Sequence, residues 1–125
     1  LCKLYLMFHK ILYMMYLYRR YEIMKNIFLD AIHKKLILVV TLNSKEKGII
    51  TRRCIPFDFG PSRRAKDQSN RYHFYDLDSP DGRHTLSILP NQLLKLEFTG
   101  EQFNPRDYID WEPQWFVPRD WGALS

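Results

Sequence analysis

Six basic residues, Arg52, Arg53, Arg63, Arg64, Lys66 and Arg71, fall within twenty positions and run directly into Tyr72, His73 and Tyr75. Guanidinium groups are planar forks that grip phosphate oxygens two at a time. Aromatic rings beside them can stack on nucleobases, and this pairing is how small domains hold single-stranded nucleic acid. The surrounding charge supports that chemistry. Residues 45–71 carry eight Lys/Arg against three Asp/Glu, a net of +5, whereas residues 72–125 carry four against nine, a net of −5. A basic block within a more acidic body suits an anionic partner. The competing reading is that Arg63 or Arg64 pairs with Asp58, Asp67 or the acidic C-terminal third.

Other chemistries find little purchase. His9, His33, His73 and His84 are scattered, and Cys2 lies 52 positions from Cys54, so no spacing matches a metal site. Cys54 falls in a strand-like run and reads as a small buried hydrophobe. Ser62 lacks the strand–turn–helix setting of a hydrolase nucleophile, and no glycine-rich phosphate cradle is present. The expectation is therefore a non-enzymatic binding or regulatory protein with no catalytic residue, no metal and no cofactor. Two cysteines are too few for a disulfide scaffold, and a cytoplasmic location is expected.

The elements that must position these residues follow from periodicity. With 125 residues, 46% hydrophobic and 26% charged, the chain has the composition of one small globular domain. Residues 24–35 predict a short helix, with Ile27/Ala31 and Phe28/Ile32 as i,i+4 pairs and Asn26 as its cap. Leu36–Leu42 predicts a strand buried on both faces. Ile49–Ile55 predicts a second strand, which Pro56 ends or places at an edge. Residues 56–71 then read as a long irregular loop.

Arg71–Leu77 and Arg83–Leu89 predict a hairpin about Asp78–Gly82. Pairing Leu77 with Arg83 sets Phe74 opposite Leu86, Tyr72 opposite Ile88 and Asp76 opposite His84. One face is then apolar, and the other carries His73, Tyr75, Thr85 and Ser87. Leu93–Thr99 is a fifth strand, with Leu94, Leu96 and Phe98 on one side. Asn104-Pro105 starts a helical turn. Trp111, Trp115 and Trp121 lie in a tail without strand pattern, placed across the sheet or across a partner. Together these predict a mostly-β, strongly bent five-stranded antiparallel barrel with a short leading helix.

Residues 1–23 differ from the rest. They contain no Gly, Pro, Ala, Ser, Thr, Asp or Asn, and Met24 opens an ordinary Met-Lys-Asn start. One reading is an extension foreign to the native protein. Another is a membrane-surface helix carrying Lys3, Lys10, Arg19 and Arg20. A spanning anchor is opposed by His9 and Lys10 in mid-run, and a secretory signal by the lack of small residues before Ala31. The division is thus residues 1–23 as an extension, 24–99 as the folded domain and 100–125 as the tail.

The run Ile49–Phe98 resembles the WYL domain family, small SH3-like or Sm-like barrels of bacterial regulators. Arg52-Arg53-Cys54-Ile55-Pro56-Phe57 is similar to the family strand that ends in Pro-aromatic. Arg71–Asp78 is similar to the strand bearing the Trp-Tyr-Leu signature, here Tyr72-His73-Phe74. Leu86–Leu89 and Leu93–Glu97 are similar to its last two strands, and the loop FGPSRRAKDQSNRYHF is similar to short, free-standing members. The resemblance spans residues 27–99, about 58% of the chain. It implies an SH3/Sm-like barrel with a ligand-binding surface. Ser87 and Gln92 stand where the family usually carries two arginines of that surface. The expected function is a ligand-binding module for a nucleotide or single-stranded nucleic acid. The alternative is a protein–protein adaptor, or self-association, through Trp111, Trp115 and Trp121, with a membrane as partner only if residues 1–23 belong to the protein.

Overall fold

The computed structural model describes residues 2–125. Helix α1 (Cys2–Lys34) leads into β1 (Leu36–Ser44), β2 (Gly48–Pro61), β3 (Asn70–Asp76), β4 (His84–Ile88) and β5 (Leu93–Gln102), and three short 3-10 turns follow β4 and β5. All neighbours pair antiparallel, in the order β4-β3-β2-β1-β5.

The sheet is open, with β4 and β5 as its edges, so the expected five-stranded antiparallel arrangement is present, without closure into a barrel, as a curled sheet. The curl follows from chain length. Ile88 and Leu93 lie on opposite edges, joined only by Leu89 and the turn Pro90–Gln92. Such a link spans roughly 12–14 Å, while five flat strands are about 19 Å across. Gln92 holds the link, accepting from Leu89 N at 3.0 Å and donating to the Asn43 carbonyl at 3.4 Å.

Several expectations about elements change. The helix begins at Cys2, and Asn26 is an exposed mid-helix residue instead of a cap. Strand β2 continues through Pro56 to Pro61, which leaves residues 62–69 as the loop. Proline is tolerated there because the β2–β3 register slips between Pro56 and Asp58, a bulge that needs no ladder N–H. In β1, Leu38, Val40 and Leu42 are buried while Val39 and Thr41 are half-buried. On β5 the pairing slips between Thr41 and Leu42, so Leu93 is buried with Leu96 while Leu94 is only half-buried, and Phe98 is exposed. The hairpin forms in the expected register, with Tyr72↔Ile88, Phe74↔Leu86 and Asp76↔His84.

Two layers cover the sheet. On one side Phe28, Ala31 and Ile32 of α1 are fully buried, and the Phe28 ring meets Tyr72 and Phe74 edge-on at 5.0 and 5.2 Å. Burying each such large side chain stabilises by about 1.5–3 kcal/mol. On the other side lies the tail. Asn104 caps its first turn by accepting from Arg106 N. Trp121 then donates its indole N–H to the Ile32 carbonyl at 2.9 Å, and Phe103 N donates to the Lys35 carbonyl. The tail is thereby tied to the C-terminal end of α1 and to the residue that follows it.

Candidate anion-binding groove

The outer face of β3 and β4 forms the floor of a groove of about 330 Å3, closed by the end of β2, the 62–69 loop and the tail. Period-2 alternation points His73 into it from β3, and pairing brings Ser87 and Thr85 alongside on β4. His73 is locked at both ring nitrogens. Its Nε2 lies 2.9 Å from the Gly60 carbonyl, which can only accept, so Nε2 carries the proton. In the neutral ring Nδ1 then accepts from the Ser87 hydroxyl at 2.7 Å.

Arg63 and Arg64 stand on the groove rim. Arg63 donates to the Gln114 carbonyl at 3.1 Å, and both arginines are exposed. Local side-chain turns order their loop: Ser62 Oγ accepts from Arg64 N, and Asp67 accepts from Ser69 N at 2.9 Å and from the Ser69 hydroxyl at 2.8 Å. The Ser69 N–H holds the Asp67 carboxyl below the usual range.

The remaining expected site residues are not brought together here. Arg52 sits 3.6 Å from buried Asp76, and Arg53 pairs with Asp78 at 3.3 Å and with Glu101 at 3.9 Å. Arg71 lies 3.8 Å from Asp67, outside the groove lining. Lys66 is exposed on the loop, also outside that lining. Tyr72 cannot serve as a stacking platform. Its ring is 1% exposed, packed against Phe28 and Phe59. Tyr75 is half-buried between Phe57 and Tyr108. The apolar face that β-alternation assigns to Tyr72 already placed it inside.

The aromatic walls come from the tail instead. Trp111, Trp115 and Phe116 line the groove with Phe57, and Trp111 and Phe116 are each about half exposed (45% and 51%). Asp58 positions this wall: its carboxylate accepts from Phe116 N at 2.9 Å, from Val117 N at 3.0 Å and from Arg119 at 3.3 Å. The Arg119 guanidinium lies against both Trp115 and Trp121, 3.9 and 4.4 Å from their ring centres, and also donates to the Phe57 carbonyl. Burial pulls Arg119 down to about 10, still protonated at neutral pH. Asp58 is thus held by Arg119, leaving Arg63 and Arg64 without an acidic partner among the described residues. Glu112 is the other acid on the groove wall.

Sequence reasoning named Arg63, Arg64 and His73 and missed the tail's part in the site. The available signal was Gly60. A Cβ there would meet the Phe116 ring at 2.5 Å, so a small residue marks a close approach. Cys54 is fully buried, and burial pushes its thiol well above the ordinary range, as suits a core residue. No helix among the described residues is long and apolar enough to cross a membrane. No protein-family model, curated protein or solved structure matches the chain.

Proposed function

We propose that the protein is a non-enzymatic binding module whose groove takes a nucleotide, or one nucleotide unit of a single strand. The observation that carries this reading is the meeting of Arg63 and Arg64, free of acidic partners among the described residues, with the half-exposed Trp111 ring over a floor of His73, Thr85 and Ser87. Arginine forks suit phosphate, indole faces suit bases, and hydroxyls suit a sugar or phosphate edge. The volume falls at the lower end for small-molecule sites. The resemblance to WYL domains supports the same surface, because Ser87, at one of that family's arginine positions, lines the groove. Gln92, at the other, holds the β4–β5 link instead.

The test is a thermal-shift and titration panel of mononucleotides and labelled oligonucleotides at low salt. A ligand at 100 times its Kd should stabilise the protein by about 2.7 kcal/mol. Arg63→Ala with Arg64→Ala should abolish nucleotide binding and flatten the salt slope for single strands by about 1.4, at ~0.7 per lost phosphate contact. Trp111→Ala should cost about 1–3 kcal/mol of binding if a base stacks on it. Absence of any binding at low salt, or a double variant that binds like wild type, defeats the reading. The adaptor reading draws on Trp111 and Phe116 alone, since Trp121 is 5% exposed and Trp115 is half-buried against Arg119. It requires salt-insensitive association that is lost in Trp111→Ala/Phe116→Ala.

A further inference from the structure

Cys2–Tyr13 of α1 line no hollow with the sheet, Met14–Arg19 flank β5 and the turn before it, and every one of these residues is exposed. At 1.5 Å per residue Cys2–Tyr13 is about 18 Å long. Leu4, Phe8 and Met14 are each more than 60% exposed, and Met7 and Ile11 at least half. An isolated helix of this length is marginal in water, and contiguous apolar surface of this kind marks an interaction site.

Successive 100° steps gather Leu4, Met7, Phe8, Ile11 and Met15 on one side, set Lys3 and Lys10 along one edge of it, and carry His9 and Tyr13 to the far side beside Leu6 and Leu17. Arg19 lies toward the edge of the apolar side, where its stem can lie along apolar surface with the charge outward. Charge then selects the occupant. Between Cys2 and Tyr21 there are four Lys/Arg and no acid, the first being Glu22. A second copy would bring like charges together with nothing in the segment to offset them. An anionic surface matches them. Exposed tyrosines, Tyr5, Tyr13, Tyr16 and Tyr18, suit the polar–apolar boundary of a bilayer. The helix is not apolar enough to cross, so the geometry left to it is to lie in the plane.

We infer that Cys2–Arg19 is a membrane-surface helix, laying its Leu4, Phe8, Ile11 and Met15 side into the headgroup region of an anionic bilayer with Lys3 and Lys10 on lipid phosphates. This is independent of the groove.

The experiment is co-sedimentation of the full chain with vesicles of phosphatidylcholine alone and of phosphatidylcholine with phosphatidylserine, beside sedimentation velocity without lipid. The chain should bind the phosphatidylserine vesicles and bind phosphatidylcholine far more weakly. Lys3→Ala/Lys10→Ala should weaken binding on the order of 25-fold, at about fivefold per basic residue near the surface. Phe8→Ser/Ile11→Ser should lose vesicle binding with an unchanged thermal midpoint, because neither side chain belongs to the core or packs against it. Arg63→Ala/Arg64→Ala should bind vesicles like wild type. Equal binding to both vesicles, undiminished binding in either helix variant, or loss of binding in the groove variant would overturn the inference. So would self-association that Phe8→Ser/Ile11→Ser disperses, which would make a second copy the occupant.

Discussion

Asp58 and Arg119 meet at 3.3 Å across 61 positions of sequence, and the Arg119 side chain is completely buried. This pair fastens the tail to β2 and so builds the aromatic wall of the groove. Removing one partner strands a buried charge, and that costs far more than the net worth of the pair. Asp58→Ala should destabilise by about 3–5 kcal/mol in urea unfolding. Asp58→Ala combined with Arg119→Met should recover part of that loss, since the uncompensated guanidinium is then gone. A double variant less stable than Asp58→Ala alone would show that Arg119 acts chiefly by packing against the two indoles.

Gly60 and Phe116 are coupled by contact. A Cβ at Gly60 would lie 2.5–3.1 Å from three atoms of the Phe116 ring. Gly60→Ala should cost about 1–3 kcal/mol, the usual range for overpacking. In a Phe116→Ala background the same change should cost much less, because the obstruction is gone. A double-mutant cycle by thermal or urea unfolding reads this coupling directly.

Phe74 is fully buried beneath α1, opposite Leu86. Phe74→Ala should cost on the order of 3–5 kcal/mol. The loss should appear in the global unfolding transition, since the ring ties helix to sheet.

The helix should be dispensable only in part. Residues 2–19 are exposed, but Arg20 donates to the Leu94 carbonyl and Tyr21 and Met24 pack against the core. Deleting residues 1–18 should leave the thermal midpoint nearly unchanged. Deleting residues 1–23 should lower it, by loss of the Arg20 and Tyr21 contacts. Differential scanning calorimetry of the two truncations separates these outcomes.

Asp78 accepts from Arg53 N at 2.9 Å, and this bond, followed by the Arg53 side chain, holds its carboxyl below the usual range. A carboxyl with a depressed folded-state pKa adds stability above its unfolded value, 3.8, and loses it as pH falls through the folded value. Asp78→Asn should therefore be modestly less stable than wild type at neutral pH. The difference should shrink below about pH 4. Denaturant midpoints measured from pH 7 down to pH 2 check the sign.

Local patterns made much of this protein legible. Alternation placed Phe74, Tyr72, Leu86 and Ile88 on one face of a hairpin, and turn residues set its register, because side-chain direction in a strand depends only on position parity. The same parity turned His73 outward, and the Asn104-Pro105 turn was read from its capping chemistry. Pro56 is expected to end its strand or place it at an edge, whereas a bulge in the central strand β2 absorbs it. That choice depends on how β3 pairs, which no local window contains. The basic cluster was legible as charge but not as a site. Asp76 and Asp78 reach Arg52 and Arg53 only because β2 lies beside β3, so pairing removes those two and leaves Arg63 and Arg64. Whether the sheet closed was decided by tertiary structure: the link after β4 curls it, while β1 and β5 pair without β5 reaching β4. The tail was decided there too. Its hold on the sheet rests on contacts such as Asp58 with Arg119 and Trp121 with Ile32, formed between positions 61 and 89 residues apart. Composition states that such groups exist, but only the folded chain brings them within hydrogen-bond reach.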